Sequence, residues 1–384
     1  MVTYPSDWKT NKIIEVADIF DNLRIPVTKN QRKPGNTPYY GANGIQDYVS
    51  GYTHDGEFVL IAEDGANDLQ NYPVTYASGK IWVNNHAHVL AGVNSKADTR
   101  FLAYLLKKVD FAAVLVGGTR AKLNGKTLKN IEVTLPERLK EQQAIASALS
   151  DFDEHIDNLS ELIEKKKAIR NGALEDLVSG RTRIEGFDDE WKKTTLNDCA
   201  YIFQGGTPRT TNADYWNGDI VWVTPSEITK LKGMYISNSE RKITKAGLQN
   251  SSAQILPVGT ILLCTRATIG ELAIATKLMT TNQGFKNFVC KDGVDNIFMA
   301  YLLMTLKEVM ISKAIGTTFL EISKKVLKAI EIVIPEYREQ EAIASILTAM
   351  DEEIEALEEE KEKMIQIKEG AMDDLLTGRV RLKV

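Results

Sequence analysis

Cysteine is scarce in this chain: Cys199, Cys264 and Cys290 are the only three among 384 residues, and none stands in a Cys-x-x-Cys spacing. That excludes a disulfide scaffold and a thiolate zinc site, and leaves reduced thiols in a cytoplasmic core. Long apolar runs are missing as well. No stretch approaches the roughly 18 residues of a membrane span, and no positively charged signal start is present, so the expectation is a soluble, unexported, cytoplasmic chain with no membrane partner. A strong charge of either sign is also absent, since the net value is only −5. That small number hides an uneven distribution. Residues 1–135 carry 15 Lys/Arg against 13 Asp/Glu and residues 187–334 carry 17 against 14, whereas 136–186 carry 8 against 11 and 335–384 carry 7 against 14. An anionic polymer would be repelled by the acidic segments and tolerated by the other two.

What is present is a repeat. Glu141-Gln-Gln-Ala-Ile-Ala-Ser147, running to Gly180-Arg-Thr-Arg183, recurs as Glu339-Gln-Glu-Ala-Ile-Ala-Ser345, running to Gly378-Arg-Val-Arg381. At an offset of 198 residues, 22 of 43 positions are identical, without a gap. Each copy reads as one long helix, with Pro136 or Pro335 upstream and Gly180 or Gly378 as a left-handed cap just past the end. The apolar positions alternate at four and three, which is a heptad seam. In the first copy it runs Ile145, Leu149, Phe152, Ile156, Leu159, Ile163, Lys166, Arg170, Ala173, Leu177. In the second it runs Ile343, Leu347, Met350, Ile354, Leu357, Lys361, Met364, Lys368, Ala371, Leu375. Where one copy breaks with a cation the other mostly stays apolar, so the two helices read as partners in an antiparallel coiled coil. The acidic run Glu358–Glu360 reads first as a solvated helix face.

Between the helices the plan repeats. Residues 1–135 show short strands at Glu57–Ile61, Lys80–Val83 and His88–Ala91, a helix at Phe101–Val109 and a strand over Leu128–Leu135. Residues 187–334 show strands at Ile220–Val223, Thr260–Cys264 and Phe288–Cys290 and a helix at Phe298–Val309. Residues 136–186 and 335–384 are the long helices with their trailing segments. The fold class is therefore α+β: two globular α/β domains separated by two long helices, in a pseudo-two-fold internal repeat. The lead-in Gly180-Arg-Thr-Arg-Ile184 to Trp191 has a match in Gly378-Arg-Val-Arg-Leu382, while Trp8 begins near the N-terminus. The C-terminal tail is expected beside residues 1–8.

Catalytic signatures are poor. Gly125-Lys126-Thr127 looks like the end of a phosphate-binding loop, but the required glycine would fall at Arg120. Asn36-Thr37-Pro38-Tyr39 lacks the second-position proline of the amino-methyltransferase motif, and no glycine-rich cofactor loop precedes it. His86 and His88 share a strand face, with no cysteine or paired acid to complete a metal set. There is no Gly-x-Ser-x-Gly and no Ser/His/Asp set. The expectation is a chain without catalytic residues, metal or cofactor of its own.

The divergent loops instead carry side chains that read base edges and phosphates. In the first globule these are Lys29, Arg32, Lys33, Tyr39, Tyr40, Asn43, Gln46, His86, Arg120, Lys122, Asn124 and Lys126. In the second they are Thr207, Arg209, Thr210, Thr224, Ser226, Arg241, Lys242, Arg266 and Lys286; Tyr215, Trp216 and Gln283 read equally as packing or turn residues.

Several phrases carry a family resemblance. Gly205-Gly-Thr-Pro208, Tyr215-Trp216-x-Gly218, Trp222, Thr265-Arg266, Ile269-Gly270 and Asn282-Gln-Gly284 resemble specificity subunits of type I restriction–modification systems, as do the Pro-Glu and Glu-Gln-x-Ala-Ile-Ala helix starts. Tyr40-Gly-Ala-Asn-Gly44, Ile61-Ala-Glu-Asp-Gly65 and Trp82-Val-Asn-Asn-His-Ala-His88 resemble a second form of their target-recognition domain. The resemblance implies a non-catalytic subunit whose two recognition domains each read half of a split, asymmetric DNA target. It further implies that the helix pair docks two methylation subunits, which carry S-adenosylmethionine and modify adenine, and that a motor–nuclease restriction subunit can join them. Helices of roughly 57 Å would then hold the domains more than one duplex turn, about 34–36 Å, apart and act as a spacer ruler. The rival reading is a helical-hairpin assembly adapter without sequence-selective DNA binding.

Overall fold

The computed structural model describes residues 3–115, 122–316 and 320–383. The four consecutive segments inferred from sequence resolve into two compact units, Met1–Leu159 with Glu360–Val384, and Ser160–Glu359. Each unit contains one globule, half of the long helix Leu139–Val178 and half of the long helix Tyr337–Leu375. The seam residues explain this division, because the two halves of each helix pack into different cores.

In the first unit a six-stranded sheet runs in the order 17–19, 87–92, 54–62, 74–83, 34–41, 44–49. Its pairs are antiparallel except 34–41 against 74–83. A separate antiparallel pair joins Trp8–Lys12 to Glu132–Pro136 and leads into the first long helix. The helix Thr99–Leu106, capped by Asp98 accepting from Phe101 N, is buried against the sheet. Ile145 and Leu149 of one long helix share this core with Met372, Leu375 and Leu376 of the other, and Phe152 packs at its edge. Ile156 and Met364 are half-buried, and Leu159 is buried. N-terminal residues of one helix thus meet C-terminal residues of the other, which is antiparallel pairing.

The second unit has a five-stranded sheet ordered 200–204, 285–290, 261–264, 272–275, 235–236, and a three-stranded sheet ordered 242–243, 216–223, 280–281. Lys192–Thr195 pairs with Glu331–Ile334, matching the entry pair of the first unit. Its core joins Ile343 and Leu347 to Leu174, Leu177 and Val178, with Met350 and Ala173 packed alongside. Ile163 and Ile354 are buried and Leu357 is half-buried.

Two local expectations are corrected. The strand expected over Leu128–Leu135 is a short helix, Gly125–Asn130, followed by the strand Glu132–Pro136. Asn124 starts that helix by accepting from Thr127 N, a cap that outweighs the β-branched run. The helix expected over Phe298–Val309 is two helices, Asn296–Thr305 and Lys307–Ser312.

Both long helices end as glycine caps should, with φ of +72° at Gly180 and +71° at Gly378. A Cβ on Gly378 would lie 2.6 Å from Pro5 and 3.3 Å from Trp8, so the C-terminal tail presses on the N-terminal segment. Leu382 packs against the core that contains Trp8. Arg381 donates to both oxygens of Glu141 (2.5 and 2.8 Å) and both of Asp7 (3.0 and 2.9 Å). In the second unit Arg183 does the same for Glu339, at 2.7 and 2.8 Å.

The Glu141 side chain is 2% exposed, so removing its cation strands a buried charge. Arg381→Ala is expected to cost about 2–3 kcal/mol, less than a fully buried pair because Arg381 is half-exposed. Arg181→Ala, whose pairs with Glu175 and Asp176 are exposed, should cost about 1 kcal/mol or less. Urea unfolding of the two variants tests the contrast, and equal losses would remove the argument.

Candidate nucleic-acid interface

In the first unit three sequence phrases come together. Asn84 N donates to Tyr40 O (3.1 Å) and Glu63 N to His86 O (2.8 Å). Asn43 Nδ2 donates to Gly65 O (2.9 Å), while Asn67 N donates to Asn43 Oδ1 (3.0 Å). Gly44, at φ +97°, makes the tight turn that brings Asn43 there.

At this corner sits a charged cluster. His88 Nδ1 faces Asp21 Oδ2 (2.6 Å) and Nε2 faces Leu123 O (2.7 Å), so both nitrogens donate only in the imidazolium form. Arg24 donates to Glu63 (2.7 Å), and Lys122 lies 2.8 Å from Glu63 and 3.8 Å from Asp64. Exposed His86 faces Asp64 at 2.5 Å. Asp21, Glu63 and His88 have ligand atoms within 4.8 Å of one another, a spacing that would suit a metal. Arg24 and Lys122 already neutralise the acids and His88 spends both nitrogens, so the donor set fits no cation. Burial pushes the Asp21 carboxyl up, but the His88 hydrogen bond and the charges of His88 and Arg24 more than offset it. Burial likewise opposes, and Lys122 and Arg24 outweigh, at Glu63; both carboxyls end below their ordinary range.

The second unit converges in the same way through different phrases. Trp222 Nε1 donates to Gly206 O (2.8 Å) and Gly206 N to Thr281 O (2.9 Å). Thr265 N donates to Gly284 O (2.8 Å), and Asn282 Oδ1 accepts from Gly284 N (2.8 Å). A Cβ at Gly205 would come within 1.8 Å of Asn282 O, so only glycine admits this approach.

The proposed contact residues differ in exposure. Lys29, Lys33, Asn43, Gln46, His86, Lys122 and Lys126 are exposed in the first unit, as are Arg209, Thr210, Ser226, Arg241 and Arg266 in the second. Arg32 lies 4.0 Å over the Tyr39 ring and donates to Val27 O (3.2 Å) and Asp47 (3.3 Å). Asn124 is spent as the helix cap already described. Thr207 donates to Gln283, Thr224 forms a capping box with Glu227, and Lys242 is half-buried on its strand. Tyr39, Tyr40 and Lys286 are corrected to packing positions. Tyr39 is 1% exposed with its hydroxyl on Val27, Tyr40 is 8% exposed, and Lys286 is 2% exposed between Thr265 and Glu321. Neighbours from distant segments, unseen in a linear reading, claimed them: Trp82 for Tyr39, the apolar cluster around Phe58 for Tyr40, and Thr265 with Glu321 for Lys286. Arg120 lies outside the described residues. Missed by sequence reasoning were Asp21 and Arg24, whose only signal was charge on a short segment, and Glu63, which stood without a role inside the Ile61–Gly65 phrase. Burial pushes the Cys264 and Cys290 thiols up to about 12, in keeping with inert core cysteines.

The two sites use one backbone frame. Ile61 pairs with His88 as Leu263 pairs with Lys286, and Leu123 N donates to Glu63 O as Ile322 N does to Thr265 O. His88, Glu63, Asp64 and Lys122 thus occupy the places of Lys286, Thr265, Arg266 and Glu321. At the last two positions the charge is reversed.

A repeated globule-and-helix frame bearing two unlike polar loop sets defines a two-part recognition protein. The family model for the type I restriction modification DNA specificity domain matches residues 5–168 and again 188–366. A putative type I restriction enzyme specificity subunit of Haemophilus influenzae is 34% identical over 352 residues, spanning 89% of this chain and 86% of that one. A putative specificity subunit of Methanocaldococcus jannaschii is 26% identical over 99% of this chain and 95% of its own. The crystal structure of a type I restriction–modification S subunit from M. genitalium shares the fold, with a TM-score of 0.67 at 16% identity over 96% of each chain. The chain belongs to the type I restriction–modification DNA specificity family, and it is a DNA target-recognition subunit of that kind. Among the described residues no helix is long and apolar enough to cross a membrane.

Asp21 and Glu63 set a pH test. A carboxyl held low in the folded state stabilises above its unfolded pKa and loses that contribution as pH falls through the folded value. The stability gap between wild type and Asp21→Asn should be full above the ordinary carboxylate range and narrow toward more acid pH. Unfolding titrations between about pH 2 and 7 check this. A gap that stays constant would acquit Asp21.

Proposed function

We propose that each unit's converged loops read one half of a split, asymmetric DNA sequence. The observation that carries this reading is the shared backbone frame with unlike, partly charge-reversed side chains. Equal faces would read equal half-sites, whereas these faces offer different donors and acceptors to the duplex. The chain binds and positions, and the chemistry belongs to partner subunits. Two methylation subunits carrying S-adenosylmethionine dock on the acidic helix pair, and a motor–nuclease restriction subunit can join them. The helix lengths, 40 and 39 residues or roughly 60 Å, set the number of unread base pairs between half-sites.

Glu358 pairs with Lys167 and Glu360 lies 3.6 Å from His155, so reversing these charges would disturb the helix pair itself. Exposed Glu359 is the cleaner probe of partner docking.

The decisive test is methylome sequencing of a host expressing this chain with its cognate methylation subunit. A split motif carrying N6-methyladenine in each half, lost on deletion of the chain, is expected. Loss of no motif would favour the assembly adapter. Removing one turn from both long helices should shorten the preferred spacer in a spacer-length library, and an unchanged spacer would refute the ruler.

A further inference from the structure

The second unit contains a small buried core of Trp216, Trp222, Ile243 and Ala253. Its two indoles meet edge to face, with centroids 4.9 Å apart and planes at 83°. Neither ring is free to turn, because Trp216 Nε1 donates to Arg209 O (3.3 Å) and Trp222 Nε1 to Gly206 O (2.8 Å). Over this pair lies Arg241, its guanidinium carbon 3.7 Å from the Trp216 ring centre and 5.3 Å from that of Trp222. The backbone of Arg241 is fixed too, since its carbonyl accepts from Ser239 Oγ (2.6 Å) and Trp222 N (3.3 Å).

Arg241 is nevertheless exposed, and among the described residues its guanidinium enters no hydrogen bond or ion pair. Arg32 makes the instructive contrast. It too stacks on an aromatic ring, but Val27 O and Asp47 take its donors. Arg241 has the same immobilisation with its donor edge unspent. A rigid planar fork of that kind suits an acceptor pair at fixed spacing, and stacking removes rotamer freedom before any ligand arrives.

Guanine O6 and N7 in the major groove form such a pair, and so do two phosphate oxygens. A phosphate needs little more than charge, which a lysine on a flexible stem supplies; two parallel donors held in a set plane matter most for a base edge. Resting on the recognition reading above, we propose that Arg241 reads a guanine in the half-site of the second unit, donating two N–H groups to O6 and N7 with Trp216 as its rigid backing.

The test uses the full chain assembled with its methylation subunit, comparing wild type with Arg241→Gln and Arg241→Lys. Methylation rates are measured on duplexes substituted one base pair at a time across both half-sites. Arg241→Gln should lower the preference for G·C at one position of one half-site by roughly 10- to 100-fold, with the other half-site unchanged. Arg241→Lys keeps the charge and should lose the same position. Preferences intact at every position would overturn the proposal, including a uniform fall in rate that lysine restores, the mark of a phosphate contact. A wild-type complex that marks no split motif would overturn the recognition reading itself, a result distinct from the failure of one variant. Should Arg241→Gln fail to fold, Arg241→Met keeps the stem on the indole and carries the same comparison.

Discussion

The structure depends on a buried glutamate held by an arginine from the far end of the partner helix. Glu141 and Glu339 stand in the first turn of the long helices, 2% and 1% exposed. A carboxylate so placed benefits from the positive end of the helix, but its burial is tolerable only with a full set of donors. Arg381 and Arg183 supply those donors through two parallel N–H groups each. The next residue completes the joint. Gln142 accepts from Asp98 N and donates to Lys96 O and Pro136 O, as Gln340 accepts from Asp295 N and donates to Gly293 O and Pro335 O. Each helix start is thereby bonded to the globule it follows and to the tail of the other helix.

The same logic explains the cations that interrupt the seam. Lys368 pairs with Asp153, which also accepts from Tyr104 Oη (2.5 Å). Arg170 pairs with Asp351 at 2.7 and 3.0 Å, and Asp351 accepts from Tyr301 Oη (2.7 Å). Lys166 reaches Glu353 at 2.6 Å. A leucine at those seam positions would slide along its neighbour with little penalty. A cation that must meet one carboxylate, itself pinned by a tyrosine of the globule, fixes the stagger of the antiparallel pair.

Much of this frame was legible because it is written locally. A four–three alternation and a terminal glycine are signals contained within one segment, and a repeat supplies each twice. The match between Gly180–Ile184 and Gly378–Leu382 pointed to the tail's place, since each segment sets its glycine against a tryptophan, Trp191 or Trp8. The site was legible only as a set of phrases. Whether Tyr39 faces solvent or core depends on its pairing with Trp82, 43 residues on, and nothing in its own neighbourhood records that. The same holds for Lys286, whose chemistry suggested DNA and whose strand position buried it. Asn124 shows the third case, a polar residue recruited to start a helix before any ligand could claim it.

These losses sharpen the functional argument. A fold that requires the same backbone bonds in both units, Leu123 to Glu63 and Ile322 to Thr265, leaves only side chains free to differ. At that corner the first unit sets Lys122 against Glu63, while the second sets Glu321 beside buried Lys286. In the second unit exposed Arg241 lies over two indoles, for which the Tyr40–Gly44 turn of the first offers no counterpart. Two copies of one recognition face would read the same half-site twice. A frame kept constant while its faces diverge is what reading two unlike half-sites requires, because the duplex presents a different donor and acceptor pattern at each.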